Sequence, residues 1–303
     1  MIVLLLVTKN EGDLLRLNIE HHLAWGVDHI AVADNMSTDD TPDILRSYGD
    51  QVSSTKFRDF IERRSIRMVM LGALKERYPG IEWAGVSDTD EFWWGPEGDM
   101  RSALAGVPED RVAVNYEQKL YLPTGLDGDE GPIYCRRVHR TPGSASPLHT
   151  SYKRGKSWYR VSWLPDITDE HWCREVPHER GGPSEPCVLH YMIQDEQQFV
   201  EKVKRLRSWQ TRRRRNAEAV FDVVRKVLRR PAPSPVKRDF KAAWWDVYAS
   251  GGDDGLRDYY RNVYTVPAGA VPGHLDRGEL VLDAGFADFM ADRHGLEPRP
   301  AGA

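Results

Sequence analysis

Ile2 to Thr8, read IVLLLVT, is apolar without a break until its last residue. An uninterrupted run of that kind suits a strand buried on both faces, and such a strand requires helices on either side of its sheet. The next segments supply them. Leu15, Ile19 and Leu23 recur at i, i+4 and i+8, and Gly26 after Trp25 offers a helix stop. A short β-branched run, HIAVAD, follows at 29–34, and then Thr41 can cap a helix with Pro42 at its first position. Strand, helix, strand, helix implies parallel strands joined by right-handed crossovers. The expected class is therefore α/β.

Further along, residues 62–78 place Ile66, Val69, Met70, Ala73 and Leu74 on one helical face before a Pro-Gly stop. IEWAGVSD then reads as the next strand. In open α/β sheets, ligands bind in the crevice beyond the carboxyl ends of the strands, and here that end carries Asp88, Asp90 and Glu91. Beyond residue 100, RVAVNYEQKLYL (111–122) reads as one strand and 123–187 as strands joined by long loops. DEQQFVEKVKRLRSW and NAEAVFDVVRKVLRR are helical by pattern, PAPSP at 231–235 ends the second, and roughly the last 65 residues suggest a small helical appendage.

Of 303 residues, 40% are apolar and 29% charged, an ordinary soluble composition that excludes wholesale disorder. Cys135, Cys173 and Cys187 lack the C-x-x-C spacing of a redox or zinc site, which points to a reducing cytoplasm. MIVLLLV has no basic lead and is too short to span a bilayer, so it reads as a first strand and not a signal peptide.

The chemistry-bearing stretch is WAGVSDTDEFWWG. Two aspartates one residue apart, just past a buried strand, bring hard oxygen ligands to one point, and Mg²⁺ or Mn²⁺ with a diphosphate is the natural guest. Phe92, Trp93 and Trp94 are expected to pack in the core rather than to stack on a sugar.

Taken in order, VTKNEGDLLRLNIEHHLAWGVDHIAVADNMSTDDTPDIL, IRMVMLGALKERYPGIEWAGVSDTDEF and VLHYMIQDEQQFVEKV resemble the nucleotide-sugar glycosyltransferases of the GT-A fold, in the family-2-like group, over about residues 1–205. The resemblance implies a Rossmann-like, mixed but mainly parallel sheet flanked by helices and a catalytic domain over 1–205; residues 206–303, which it does not cover, read by pattern and charge as a basic helical C-terminal extension. The resemblance also implies a nucleoside diphosphate sugar as donor and a hydroxyl-bearing glycan or lipid-linked acceptor. Thr8, Asn10 and Glu11 would line the nucleotide pocket, Asp34 would meet the base, and Ser37 with Asp39 would support that loop. Asp90 matches the direct ligand of Mn²⁺ or Mg²⁺, Asp88 would reach the ribose or the metal through water, Glu91 would support the loop, and His190 would complete the metal site. Lys156 and Arg160 would neutralise the departing diphosphate, with His171 bordering the acceptor. For an inverting reaction, Asp169 and Glu170 fall where a catalytic carboxylate is expected; the family's usual Glu-Asp pair is absent, and Glu117 or Asp166 are the alternatives.

Residues 201–241 hold 15 of the chain's 42 Lys and Arg but only 4 of its 46 Asp and Glu. Such a segment at 202–241 suits an anionic membrane surface, as a peripheral contact on its inner face. A nucleic-acid-binding protein using the same segment is the rival reading. The run KVKRLRSWQTRRRRN carries no reader motif and interleaves no aromatic other than Trp209, so no nucleic-acid partner is expected. A nucleotidyltransferase would need a Gly-rich loop after the first strand, where VTKNEGD offers none.

Overall fold

The computed structural model describes residues 1–58, 63–95, 98–128, 131–143, 155–163, 177–180, 186–205 and 240–294. Its chain divides into two compact units. One comprises Met1–Leu122, residues from Asp127 to Met192, and the described residues from Pro272 on; the other comprises Pro123–Leu126 with Ile193–Val271.

The first unit is built on a seven-stranded sheet. Its strands are β1 (Ile2–Thr8), β2 (His29–Asp34), β3 (Val52–Lys56), β4 (Trp83–Asp88), β6 (Ala113–Tyr116), β9 (Lys156–Arg160) and β10 (His178–Arg180), in the order β10-β6-β9-β4-β1-β2-β3. β1 pairs in parallel with β2 and β4, β2 with β3, and β6 with β10; β9 runs antiparallel to both β4 and β6. The sheet is thus mixed and mainly parallel, as expected. Burial explains the apolar run at the start of the chain. Ile2, Leu4 and Leu6 point to one face, where they meet Leu15 and Ile19 of α1 (Gly12–Ala24) and Ile44 of α2 (Thr41–Ser47). Val3, Leu5 and Val7 point to the other, against Ile66, Met70 and Leu74 of α3 (Arg63–Arg77). Alternating side chains of one strand therefore serve two cores.

Two local expectations are revised. Thr41 is the first residue of α2, its backbone N–H bound by the Asp39 carboxylate at 3.2 Å, while Asp40 occupies the cap position. The single strand read over 111–122 is two. After β6 the chain turns at exposed Glu117 and continues as β7 (Gln118–Leu120) in a separate three-stranded sheet with β5 (Glu91–Trp94) and β11 (Cys187–His190), in the order β5-β11-β7. A strand-like pattern persists across such a switch because both halves keep an extended backbone; only tertiary pairing separates them. A two-stranded sheet pairs β8 (His139–Arg140) with β12 (Val281–Leu282), supported by an ion pair between Arg140 and Asp283 at 2.5 Å. After it, a helix over Gly285–His294 sets Phe286 among Phe92, Tyr134 and Tyr191.

In the second unit, residues 196–205 form one helix and Phe240–Tyr259 another, bent at Gly252, whose φ is 59°. Phe199, Trp244, Tyr259 and Tyr264 pack together there, and Glu196 receives both Arg257 and Arg261. Among the described residues no helix is long and apolar enough to cross a membrane.

One glycine shows how tightly the sheet is covered. A Cβ on Gly85, in the middle of β4, would lie 2.6 Å from the indole of Trp158, which is fully buried against Trp93. The ring cannot retreat, so Gly85→Ala should lower stability by about 1–3 kcal/mol. A melting temperature within a degree of the parent protein's would contradict this packing.

Candidate active site at the carboxyl edge of the sheet

The register of the parallel strands decides which residues meet. Thr8 ends β1 opposite Asp34, the last residue of β2, and Val7 stands opposite Asp88, the last residue of β4. Three neighbouring strands thus deliver Asp34, Thr8 and Asp88 side by side at the carboxyl edge, where sheets of this kind bind their ligands.

The loops behind β1 and β2 are laced together by side chains. Ser37 donates its backbone N–H to the Asp34 carboxylate at 2.9 Å, and its hydroxyl accepts the N–H of Asn10 at 2.9 Å. The Asn10 side chain accepts from Thr38 N–H at 2.8 Å, and Asp39 accepts from Gly12 N–H at 3.1 Å. Asn10 and Met36 adopt positive φ angles of 51° and 55°, a conformation that these reciprocal bonds sustain at a modest steric cost. Glu11 takes the N-cap position of α1 without a side-chain capping bond. Thr8, Asn10, Glu11, Asp34, Ser37 and Asp39 therefore belong to one connected edge.

The acidic turn 88–91 is held from three sides. Glu91 is buried, and its Oε2 accepts the Asp88 N–H at 2.9 Å while facing the Nζ of Lys156 at 2.9 Å; its Oε1 accepts the Gln118 amide at 2.8 Å. Asp88 receives the Arg67 guanidinium at 3.1 Å and lies 3.9 Å from Lys156. From α1, the amide of Asn18 donates to Thr89 O at 3.0 Å and Glu91 O at 2.7 Å, bracketing the turn. Asp90, itself 4% exposed, has Oδ1 at 3.4 Å from Nε2 of His190, whose strand β11 pairs with β5 opposite Glu91. Asp88, Asp90, Glu91, Lys156 and His190 are thereby gathered at one place.

Other expected residues lie elsewhere. Arg160 stands opposite Trp83, at the far end of β4, with its guanidinium 4.3 Å from that indole's centroid and donating to Arg111 O at 3.0 Å. Four residues along an extended strand separate it from Lys156 by about 13 Å. Asp166, Asp169, Glu170 and His171 lie outside the described residues, as does most of the basic segment 202–241. Glu117 is exposed at the turn between β6 and β7. Phe92 and Trp93 are fully buried, as read from the sequence.

Four residues at the site were not singled out from the sequence: Asn18, His22, Arg67 and Gln118. Their common signal is a polar side chain at an apolar position of a periodic element. Asn18, His21 and His22 fall at i, i+3 and i+4 on the buried face of α1, and Arg67 falls between Ile66 and Met70. The two histidines bind the strand that follows the acids. His21 Nε2 donates to Trp93 O at 2.6 Å, and His22 Nε2 accepts Trp93 N–H at 3.0 Å, which leaves its Nδ1–H for Asn18 O and Oδ1 at 2.8 and 2.9 Å.

Among the described residues, no three His, Cys, Asp or Glu side chains come together as a metal-binding group. A Mg²⁺ or Mn²⁺ ion needs no such cage, since one or two carboxylates with phosphate oxygens and water suffice. The carboxylate of Asp90 fits that requirement, while Asp88 is already engaged by Arg67.

No protein-family profile matches the sequence, and no curated protein does. Similarities to solved structures are distant. S. aureus TarS matches at 12% identity over 67% of this chain and 38% of its own, with a TM-score of 0.39. The Mycobacterium tuberculosis glucosyl-3-phosphoglycerate synthase, in complex with Mn²⁺, UDP and glucosyl-3-phosphoglycerate, matches at 20% identity over 39% of this chain and 44% of its own, with a TM-score of 0.29. The Pyrobaculum calidifontis mannosyltransferase, in complex with GDP-Man and Mn²⁺, matches at 13% identity over 97% of this chain and 79% of its own, with a TM-score of 0.36. The chain spans about two fifths of the length of the first two.

Burial, with a smaller push from His21 beside it, holds the His22 pKa well below its ordinary 6.5, and burial lowers His29 as well. Below that pH the unfolded chain takes up protons that the folded chain refuses. The contribution of His22 to stability should therefore be level above about pH 6.5 and fall beneath it, by up to about 1.4 kcal/mol per pH unit. Urea unfolding at pH 7.5 and 5.5 with equal midpoints would contradict the buried neutral imidazole.

Proposed function

We propose that the chain is a glycosyltransferase that moves a sugar from a nucleoside diphosphate donor to a hydroxyl acceptor, with Mn²⁺ or Mg²⁺ and with inversion at the anomeric centre. The observation that carries this reading is the alignment of Asp34, Thr8 and the 88–91 turn along one edge of the parallel sheet. A support independent of the sequence resemblance is polar demand at that edge. Thr8 Oγ1 and Asp34 Oδ2 are buried without a hydrogen-bond partner among the described residues, and buried polar atoms of that kind call for one. A nucleotide base or ribose, with its N–H and O–H donors, is a chemically suitable partner.

In this reading Asp34 meets the base, Thr8, Asn10 and Glu11 line the nucleotide pocket, and Asp39 keeps the β1 and β2 loops in register. Asp90 would hold the cation, which when bound would offset charge on the departing diphosphate. Asp88 would reach the ribose, or the metal through water, its own charge balanced by Arg67 and Lys156. The acceptor oxygen attacks the anomeric carbon as the bond to the diphosphate oxygen breaks, and a carboxylate takes the acceptor's proton. Asp169 and Glu170 are the residues proposed for that step. The acceptor is a glycan or lipid-linked hydroxyl, and segment 202–241 is the proposed contact with an anionic membrane face from the cytoplasmic side.

A thermal-shift screen of UDP-, GDP- and dTDP-sugars with and without Mn²⁺ tests the reading, since a ligand bound only by the folded chain raises its stability. One donor should raise the melting temperature only when Mn²⁺ is present, and Asp90→Ala should reduce that binding below detection by calorimetry while the free variant still unfolds in one cooperative transition. No donor bound with the metal, or donor binding unchanged in Asp90→Ala, would refute it.

A further inference from the structure

We infer that Gln118 is a positioning residue that fixes which nitrogen of His190 carries the proton, so that His190 presents Nε2–H to Asp90 instead of a lone pair to the cation. The inference deepens the proposed transferase reading by assigning the chemistry of one member of the same site.

The three strands of the small sheet each contribute one polar residue to this arrangement: Glu91 from β5, His190 from β11 and Gln118 from β7. The amide nitrogen of Gln118 lies 2.8 Å from Oε1 of Glu91 and 3.1 Å from Nδ1 of His190. Which end of a glutamine amide faces a neighbour is settled by the hydrogen bonds that each choice permits. The Glu91 carboxylate is an acceptor here, since its other oxygen takes the Asp88 N–H at 2.9 Å and faces the Lys156 ammonium at 2.9 Å. Turning the amide round would set its carbonyl oxygen 2.8 Å from a carboxylate oxygen, acceptor against acceptor. Gln118 therefore donates to Glu91, and the same NH₂ group carries a second hydrogen for His190 Nδ1.

An Nδ1 that accepts leaves the proton of the neutral ring on Nε2, the atom 3.4 Å from Asp90 Oδ1. A histidine that binds a metal through Nε2 needs the opposite arrangement, with Nδ1–H donated to a carboxylate, carbonyl or water. The neighbour present at Nδ1 is a donor, and its own orientation is dictated by a buried carboxylate. The chain Lys156–Glu91–Gln118–His190–Asp90 thus has a direction: each group determines the role of the next. Its end product is a ring N–H aimed at the carboxylate proposed to hold the cation.

The test is a long-range ¹H–¹⁵N spectrum of the histidine rings in the full chain, with the His190 signals assigned by their loss in His190→Asn. In the free protein His190 should show the Nε2–H pattern, and it should keep that pattern when Mg²⁺ and UDP are added together. In Gln118→Met, which preserves side-chain length but not the donor, the fixed pattern should give way to an average of both tautomers, while Gln118→Glu should favour Nδ1–H. An Nδ1–H pattern in the free parent protein, or a change to it on adding Mg²⁺ with UDP, would overturn the inference even if neither variant folds. The first reading needs no nucleotide, so a protein that binds no donor would sink the transferase proposal and leave this one to be decided by the free-protein spectrum.

Discussion

The contact on which the site rests is the buried pair of Glu91 and Lys156, 2.9 Å apart with both side chains almost wholly out of water. Removing two charges from solvent is expensive, and part of that cost is offset where further donors meet the carboxylate. Asp88 N–H and Gln118 do so at Glu91, and Asp88 lies near Lys156 on its other side. The pair also ties distant parts of the chain. Lys156 begins the reversed strand β9, beside β4, and its predecessor Gly155 has no room for a side chain because Tyr116 O lies against the position that a Cβ would take. The close approach of β9 to β6 at that glycine is what brings an ammonium under the acidic turn.

This arrangement explains how three acids can sit beside aromatic residues that are fully buried. Asp88, Asp90 and Glu91 share their neighbourhood with Arg67 and Lys156, so most of their charge is met by protein cations. The backbone of the turn, which would otherwise be left unpaired, is taken up by Asn18, and the backbone of Trp93 by His21 and His22. Burial then rigidifies the turn. A carboxylate fixed in this way loses little freedom when it binds a cation or a hydroxyl donor, which is the usual advantage of a preorganised polar site.

Much of this organisation was legible from residues alone. The IVLLLVT run, the spacing of Leu15, Ile19 and Leu23 and the acids after WAGVSD suffice to place a parallel sheet and an acidic turn at its carboxyl edge. What periodicity does not carry is pairing across the chain. The switch between sheets at Glu117 leaves no mark in RVAVNYEQKLYL, and it is this switch that sends Gln118 to the acids while Tyr116 stays in the large sheet. Lys156 and Arg160 look equivalent in sequence, yet the direction of β9 puts one under Asp88 and the other at the opposite end of the strand. Arg67, Asn18 and His22 were hidden for a different reason: each occupies an apolar face by virtue of a specific acceptor or donor that lies elsewhere in the chain.

A double-mutant cycle on Glu91 and Lys156, using Glu91→Gln, Lys156→Met and the two combined in urea unfolding, tests the interaction that orders the site most directly. Each single change leaves a buried charge without its partner and should cost about 3–5 kcal/mol, while the combined change should cost much less than their sum. Small single effects that simply add would show that the pair does not hold the turn in place, and the account of the site built upon it would fail.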